Sequence, residues 1–268
     1  MLTRRRLALA VAAVSIAGLA LAAIASGGKS PTGGAGLYPD LQTAAPHHFT
    51  VQNTQQHEYL RFSNLIVNLG AGDLRLRPEH DLATNTTTGY QEIFDASGNM
   101  VVNKPVSEFV FHPAHNHWHL DQVALFEIRT ANDDGRGGNI GPVFSGESQK
   151  TTFCLIDVIQ IDTNSPTTDR TYWDCFPDAH QGISAGWGDQ YHHATTGQEL
   201  EITDAKPGAY YLVSTANEEQ AFLESDYTNN TAWTSFKVTR DSKGNAKVAE
   251  VAKSPCSGDM CGIQLPNR

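Results

Sequence analysis

Three histidines alternate in the run His115-Asn116-His117-Trp118-His119. On a β-strand alternate side chains share a face, roughly 6.5–7 Å apart. Three imidazoles on one face can converge on a single ion at about 2 Å and leave a coordination position open for chemistry. Imidazole suits copper and catalytic zinc alike, so His115, His117 and His119 predict a metal centre without choosing between them. The chain has 11 histidines in 268 residues, and an alternating triplet is not what a chance polar face would give. His112, one step further out, is a candidate fourth ligand or a mere neighbour. The glutamate that a cupin would add after such a pair is missing, because Val123 and Ala124 stand there.

The elements that must hold this triplet read as short strands. Residues 59–69, 106–111, 122–129, 153–161, 199–202, 209–214 and 232–238 alternate or are rich in β-branched side chains. Between them lie turn formers: Asp95-Ala96-Ser97-Gly98, Asp133-Asp134-Gly135, Lys206-Pro207-Gly208 and the stretch 226–230. Such clusters punctuate strands. No stretch sustains a long helical period. The pattern predicts an all-β fold, an antiparallel β-sandwich with long irregular loops. Residues 138–152 and 163–198 read as the longest loops, and long loops on a β-scaffold are where function usually sits.

Composition narrows the function further. The formal net charge is −10, with 19 basic and 29 acidic residues and no basic block. That excludes an electrostatic nucleic-acid binder. Residues 1–25 carry Arg4, Arg5 and Arg6, then an apolar run over 7–24, then Ala23-Ile24-Ala25 as a small-x-small cleavage site. This is the pattern of a signal peptide rather than a membrane anchor, since a Gly/Ser/Pro linker over 26–36 follows without a basic flank. Thr3-Arg4-Arg5-Arg6-Leu7 also resembles a twin-arginine export signal. The expected product is secreted and has no stable membrane association after cleavage. Its four cysteines are Cys154, Cys175, Cys256 and Cys261. An even count in an exported chain suggests two disulfides, and three pairings are possible. The shorter loops favour Cys154–Cys175 and Cys256–Cys261.

Several motifs taken together resemble the lysyl oxidase family. Residues 111–128, around the histidines, are similar to its copper talon, Trp-His-x-Cys-His-x-His-x-His. Residues 146–157 resemble its Gly-His-Lys-Ala-Ser-Phe-Cys-Leu-Glu-Asp segment, and residues 181–191 its Gln-Gly-x-x-x-Gly-Cys-x-Asp-x-Tyr segment. Residues 200–213 and 224–230 resemble its Thr-Asp-x-x-Pro-Gly-x-Tyr and Glu-Ser-Asp-Tyr-Thr-Asn-Asn segments. Residues 37–41 resemble its Arg-Pro-Asp-Leu start. The matches run in family order, and the catalytic domain they outline spans about residues 37–240, with a C-terminal tail over 241–268.

The resemblance implies a copper amine oxidase that converts primary amines, including peptidyl lysine, to aldehydes, using O2 and releasing ammonia and H2O2. Its cofactor would be lysine tyrosylquinone, formed from Lys150 and Tyr191, with Cu2+ on His115, His117 and His119. Asp189 matches the family's Asp-x-Tyr and is the candidate base; His192 and His193 are alternatives. Some members hold calcium, and the matching positions are Asp40, the Leu41 carbonyl, Glu224, Asp226, Asn229 and Asn230, hard oxygen donors of the kind Ca2+ takes. The chain departs from the family at Ala114 and Trp187, where cysteines are expected, and after Tyr191, where Asp-Ile-Asp-Cys is absent. The competing readings are a non-catalytic metal-binding or adhesion sandwich and a zinc hydrolase using the three histidines. Neither needs Lys150 and Tyr191 together.

Overall fold

The computed structural model describes residues 35–54, 56–162, 165–256 and 260–261, with all their side chains except those of 121–122 and 145–151. The expected signal peptide and most of the linker lie outside the described residues. The strands are β1 (Leu41–Thr43), β2 (His47–Asn53), β3 (Glu58–Asn68), β4 (Leu74–Asp81), β5 (Thr86–Phe94), β6 (Met100–His112), β7 (His117–Ala131) and β8 (Ile140–Phe153). They continue as β9 (Ile159–Gln160), β10 (Gln181–Ile183), β11 (Trp187–Tyr191), β12 (Glu199–Glu201), β13 (Gly208–Ala216), β14 (Thr231–Arg240) and β15 (Ala246–Lys253). The fold is all-β, and among the described residues no helix is long and apolar enough to cross a membrane.

One sheet orders β1-β3-β11-β9, with β2 and β12 also paired to β3. The other orders β10-β4-β5-β6-β7-β13-β14-β15, with β8 on β7. All of the strand pairings are antiparallel. Aromatic side chains join the two sheets: Phe62 of β3 meets Phe126 of β7 with ring centroids 4.9 Å apart, and Phe49 of β2 meets Phe236 of β14 at 5.6 Å. Edge-to-face pairs of this kind add about 0.5–1.5 kcal/mol to the value of the buried area itself. β3 is buried on both faces from Phe62 onward, because Leu65 and Val67 pack under Ala44, Ile159 and Ile161 on its far side. The polar residues buried in it are hydrogen-bonded: Asn64 Oδ1 accepts the Ser214 hydroxyl, and Asn68 Nδ2 donates to the Gly72 and Ile183 carbonyls.

Residues 59–69, 199–202, 209–214 and 232–238 become β3, β12, β13 and β14 within a residue or two, while 106–111 and 122–129 lie inside the longer β6 and β7. Residues 153–161 do not form one strand. β8 ends at Phe153, and the following backbone turns to the loops: the Asp157 N–H donates to the Tyr172 carbonyl and the Val158 N–H to that of Gly188. Residues 138–152 are not a loop but most of β8, whose Gly141, Pro142 and run of polar residues hide its nature. It pairs only with β7, through a ladder broken by register shifts, and an edge position tolerates proline and irregularity. The stretch 163–198 contains β10 and β11. Beyond residue 240 the chain supplies β15, paired to β14.

Cys154 is bonded to Cys175 and Cys256 to Cys261, the two pairings that the loop lengths favour. Buried Asp157 gathers the loops around the first bridge. One carboxylate oxygen accepts the Ser184 N–H, and the other accepts the Thr171 and Tyr172 N–H groups and the Ser184 hydroxyl. A carboxylate with four donors is satisfied, and through it residues 171–172 and 184 are tied to the segment that follows β8.

Candidate metal centre

The histidines sit on the β6–β7 hairpin. His112 and His117 form its last rung, and residues 113–116 turn the chain. The His112 carbonyl accepts the N–H groups of His115 and Asn116 at 3.1 and 2.9 Å. Asn116 takes a left-handed φ of 57°, a conformation that Asn tolerates better than most residues. His115 is therefore on a turn, not on the strand that simple alternation predicts. The turn folds it back over the strand pair and adds His112 to the group.

The result is a cluster of four imidazoles. His119 Nε2 lies 2.8 Å from His117 Nε2 and 3.2 Å from His115 Nδ1. Ring nitrogens of His112, His115 and His119 lie within 4.8 Å of one another. Nitrogens bound tetrahedrally at about 2.0–2.1 Å from one ion would be about 3.4 Å apart; the His119 contacts to His117 and His115 are near that spacing, and the group of three with His112 is wider. His119 Nδ1 is 2.9 Å from the Thr152 hydroxyl. That partner fixes the ring and leaves Nε2 as the free lone pair, the usual arrangement behind a ligating histidine. Burial, then His117, His112 and His115, lowers the His119 pKa to about 3. Burial first, then neighbouring histidines, also lowers His115 and His117. Neutral imidazoles are what a metal needs. His112 Nδ1 and His115 Nε2 are buried without a hydrogen-bond partner. The donor set therefore fits copper or zinc.

His115 and His117 line a cavity of about 360 Å³ together with Asp189, Tyr191, Ile156, Thr195 and the Cys154–Cys175 bridge. Asp189 and Tyr191 arrive on β11, which pairs with β3 through Asp189↔Ile66 and Tyr191↔Asn64. The Cys154 N–H donates to the Tyr191 hydroxyl at 2.9 Å, the hydroxyl lies 3.3 Å from the Cys154 carbonyl, and the Tyr191 ring meets Phe153 edge-on at 4.1 Å. Burial, then the nearby Asp189, pushes the Tyr191 phenol well above its usual range. Asp189 is 4% exposed, and its Oδ2 is buried without a partner. Burial raises its carboxyl well above the carboxylate range. Lys150 is on β8 opposite Leu125, two residues along the chain from Thr152; its side chain is outside the described part. His192 and His193 are not among the residues lining the cavity; their rings gather with His48.

The residues expected at a calcium site also meet, across nearly the whole chain. Asn229 Nδ2 donates to both Asp40 carboxylate oxygens, at 3.0 and 3.3 Å. The Leu41 N–H donates to Glu224 Oε2, while Asn217 and Asn230 donate to Glu224 Oε1. Both Glu224 oxygens are thus occupied, and burial raises its pKa. Asp226 is exposed and accepts the Thr228 N–H and hydroxyl within its own turn. The oxygen donors left over are Asn229 Oδ1 and Asn230 Oδ1, both buried and unpartnered. Asp40, which also accepts the Gln42 amide, and these two amide oxygens are donors of the type a hard cation takes.

The family profile for lysyl oxidase matches residues 91–248, more than half of the chain. The chain belongs to the lysyl oxidase family. It is 29% identical to lysyl oxidase homolog 4 of Homo sapiens over 172 residues, 64% of this chain and 18% of that protein. It is 30% identical to lysyl oxidase homolog 3 of Homo sapiens, also over 172 residues, with the same coverage of 64% and 18%. It is 31% identical to lysyl oxidase homolog 2 of Bos taurus over 157 residues, 55% of this chain and 18% of that protein. The chain spans less than a fifth of the length of these curated relatives. In this lysyl oxidase family member the matched region includes the whole histidine hairpin, β8 and β11.

Two features of the site were not anticipated. Thr152 supports His119, and only its place on an unrecognised strand could have signalled it. The Cys154–Cys175 bridge forms part of the cavity wall, a role that pairing alone does not indicate.

Proposed function

We propose that this chain is a secreted copper amine oxidase that converts primary amines, peptidyl lysine among them, to aldehydes. The observation that carries the reading is the shared cavity: His115 and His117 line it with Asp189 and Tyr191. His115, His117 and His119 would hold the copper ion, and Lys150 with Tyr191 would supply lysine tyrosylquinone. Together those groups provide the redox chemistry, in which a primary amine, O2 and water become an aldehyde, ammonia and H2O2.

The rest falls to ordinary side chains. Ile156, the disulfide and the edge-on ring of Phe153 set apolar surface around the reacting ring. The Cys154 backbone orients the Tyr191 hydroxyl. Asp189 moves the proton. Burial favours its protonated form, and an entering ammonium favours its ionised form. In that state it can accept a proton from the substrate. Asp189 lines the cavity where His192 and His193 do not, which favours it as the base. Calcium at Asp40, Asn229 and Asn230 would tie the start of the domain to the 224–230 loop. An N-terminal signal over residues 1–25 would direct export.

Peptide mapping tests the cofactor. Copper-loaded protein matured in air should yield a Lys150–Tyr191 cross-linked peptide and a coloured adduct with phenylhydrazine. Tyr191→Phe and Lys150→Ala should each lose both. Matured protein without the cross-link, still oxidising amines, would require another cofactor. A zinc hydrolase or adhesion module would give neither product.

A further inference from the structure

A second histidine cluster lies outside the reaction cavity. One ring nitrogen each from His48, His192 and His193 falls within 4.8 Å of the others. The rings of His192 and His193 are 4.0 Å apart, and that of His48 is 6.4 and 6.1 Å from them. The fold builds this cluster on β3. β2 runs against β3 with a bulge: His47 pairs with Ser63 and Thr50 with Arg61, so His48 and Phe49 share a single opposite residue. His48 takes a left-handed φ of 53° at the bulge. The same two β3 residues hold the chain that leaves β11. The Ser63 hydroxyl accepts the His193 N–H, while Arg61 donates to the carbonyls of His193 and Thr195. Two segments more than 140 residues apart in sequence are thereby fixed with their imidazoles together.

The cluster is chemically unfinished. His48 Nδ1 and His193 Nδ1 are buried with no hydrogen-bond partner. Buried polar atoms normally have one, unless an ion or water supplies it. Burial, then His192, His48 and Arg61, lowers the His193 pKa. A set of imidazoles without carboxylate or thiolate selects late first-row divalent ions over calcium or magnesium. The nitrogens lie within 4.8 Å, so closing to about 3.4 Å takes shifts of up to about 1.4 Å, within reach of side-chain rotation. His192 Nδ1 accepts the Ala194 N–H at 3.2 Å, a long bond, given up if that atom becomes the ligand.

We propose that His48, His192 and His193 form a second metal site, for a zinc- or copper-class divalent ion, bracing the chain after Tyr191 against β2. The braced stretch carries Thr195, a wall of the reaction cavity, and follows Tyr191 directly. The site does not depend on the oxidase reading.

Zinc is the probe, since it has no redox chemistry of its own. The full chain, dialysed against zinc and analysed for bound metal, should hold two ions. His117→Ala/His119→Ala should hold one and gain melting temperature with zinc. On that background His48→Asn, which suits a left-handed backbone, and His193→Gln should each lose the remaining ion and the thermal gain. Circular dichroism of the zinc-free proteins checks that each variant is folded, and either variant alone suffices if the other is not. A His117→Ala/His119→Ala protein that binds no zinc would overturn the second site. So would one whose zinc survives both further substitutions. A parent chain that holds one ion, kept in His117→Ala/His119→Ala and lost on His48→Asn, would support the second site and count against the hairpin ligands alone.

Discussion

His119→Gln should change how the metal-free protein responds to acid. The neutral His119 ring is buried, with a pKa lowered from 6.5 to about 3. Between those values the unfolded chain binds a proton that the folded chain refuses, so folding loses stability as pH falls. One such group costs about 1.36 kcal/mol per pH unit, or about 2.7 kcal/mol between pH 6.5 and about pH 4.5. Buried carboxyls oppose this trend. Asp189, Asp73 and Glu224 have raised pKa values, so their folded forms keep a proton that the unfolded chain releases, and they gain as pH falls. The quantity to read is therefore the difference between parent and variant. Gln can still donate to Thr152 but does not titrate. Urea unfolding in chelator across this range should show the parent losing about 2.7 kcal/mol more than His119→Gln. Parallel stability profiles would refute a neutral, buried His119 and the metal-ready hairpin built on it.

Three further outcomes follow from the packing. Cys154→Ser/Cys175→Ser opens a bridge between residues separated by 21 positions and should cost about 3 kcal/mol in urea unfolding, with a fall in amine oxidation because the bridge walls the cavity. Glu92, 5% exposed, accepts from both Arg75 and Arg77, so Glu92→Ala should destabilise by about 3–5 kcal/mol and Glu92→Gln by less, measured as urea midpoints. Calcium chelation should lower the melting temperature, since an ion held only by the folded state stabilises it. Asp40→Ala should abolish that response, and no shift in the parent would remove the calcium site.

Legibility tracked the surroundings of each segment. β3 was readable because apolar residues recur along it, Leu60, Phe62, Leu65, Ile66 and Val67, and the strand is buried from Phe62 onward. β8 was not, because its glycine, proline and polar run carry no apolar period, and its backbone pairing with β7 is what identifies the strand. The importance of the histidine run was visible from spacing, but the geometry behind it was not. Alternation puts His115 on a strand, while the backbone bonds to His112 and the left-handed Asn116 put it on a turn and draw His112 in. Tyr191 and Asp189 were found through resemblance alone, since nothing local distinguishes them. The His48 cluster was hidden because His48 and His193 meet only through Arg61 and Ser63, which no local pattern connects.

The central claim is amine oxidation, and peroxide release measures it most directly. Copper-loaded protein given a primary amine in air should release H2O2, with ammonia in equal amount. Tyr191→Phe and Lys150→Ala should each be silent, and Asp189→Asn should fall by about 100-fold or more, the value of a positioned proton carrier. Copper-loaded, folded protein that releases no amine-dependent peroxide from free amines or lysine peptides would contradict the account. So would parent-level release from Lys150→Ala.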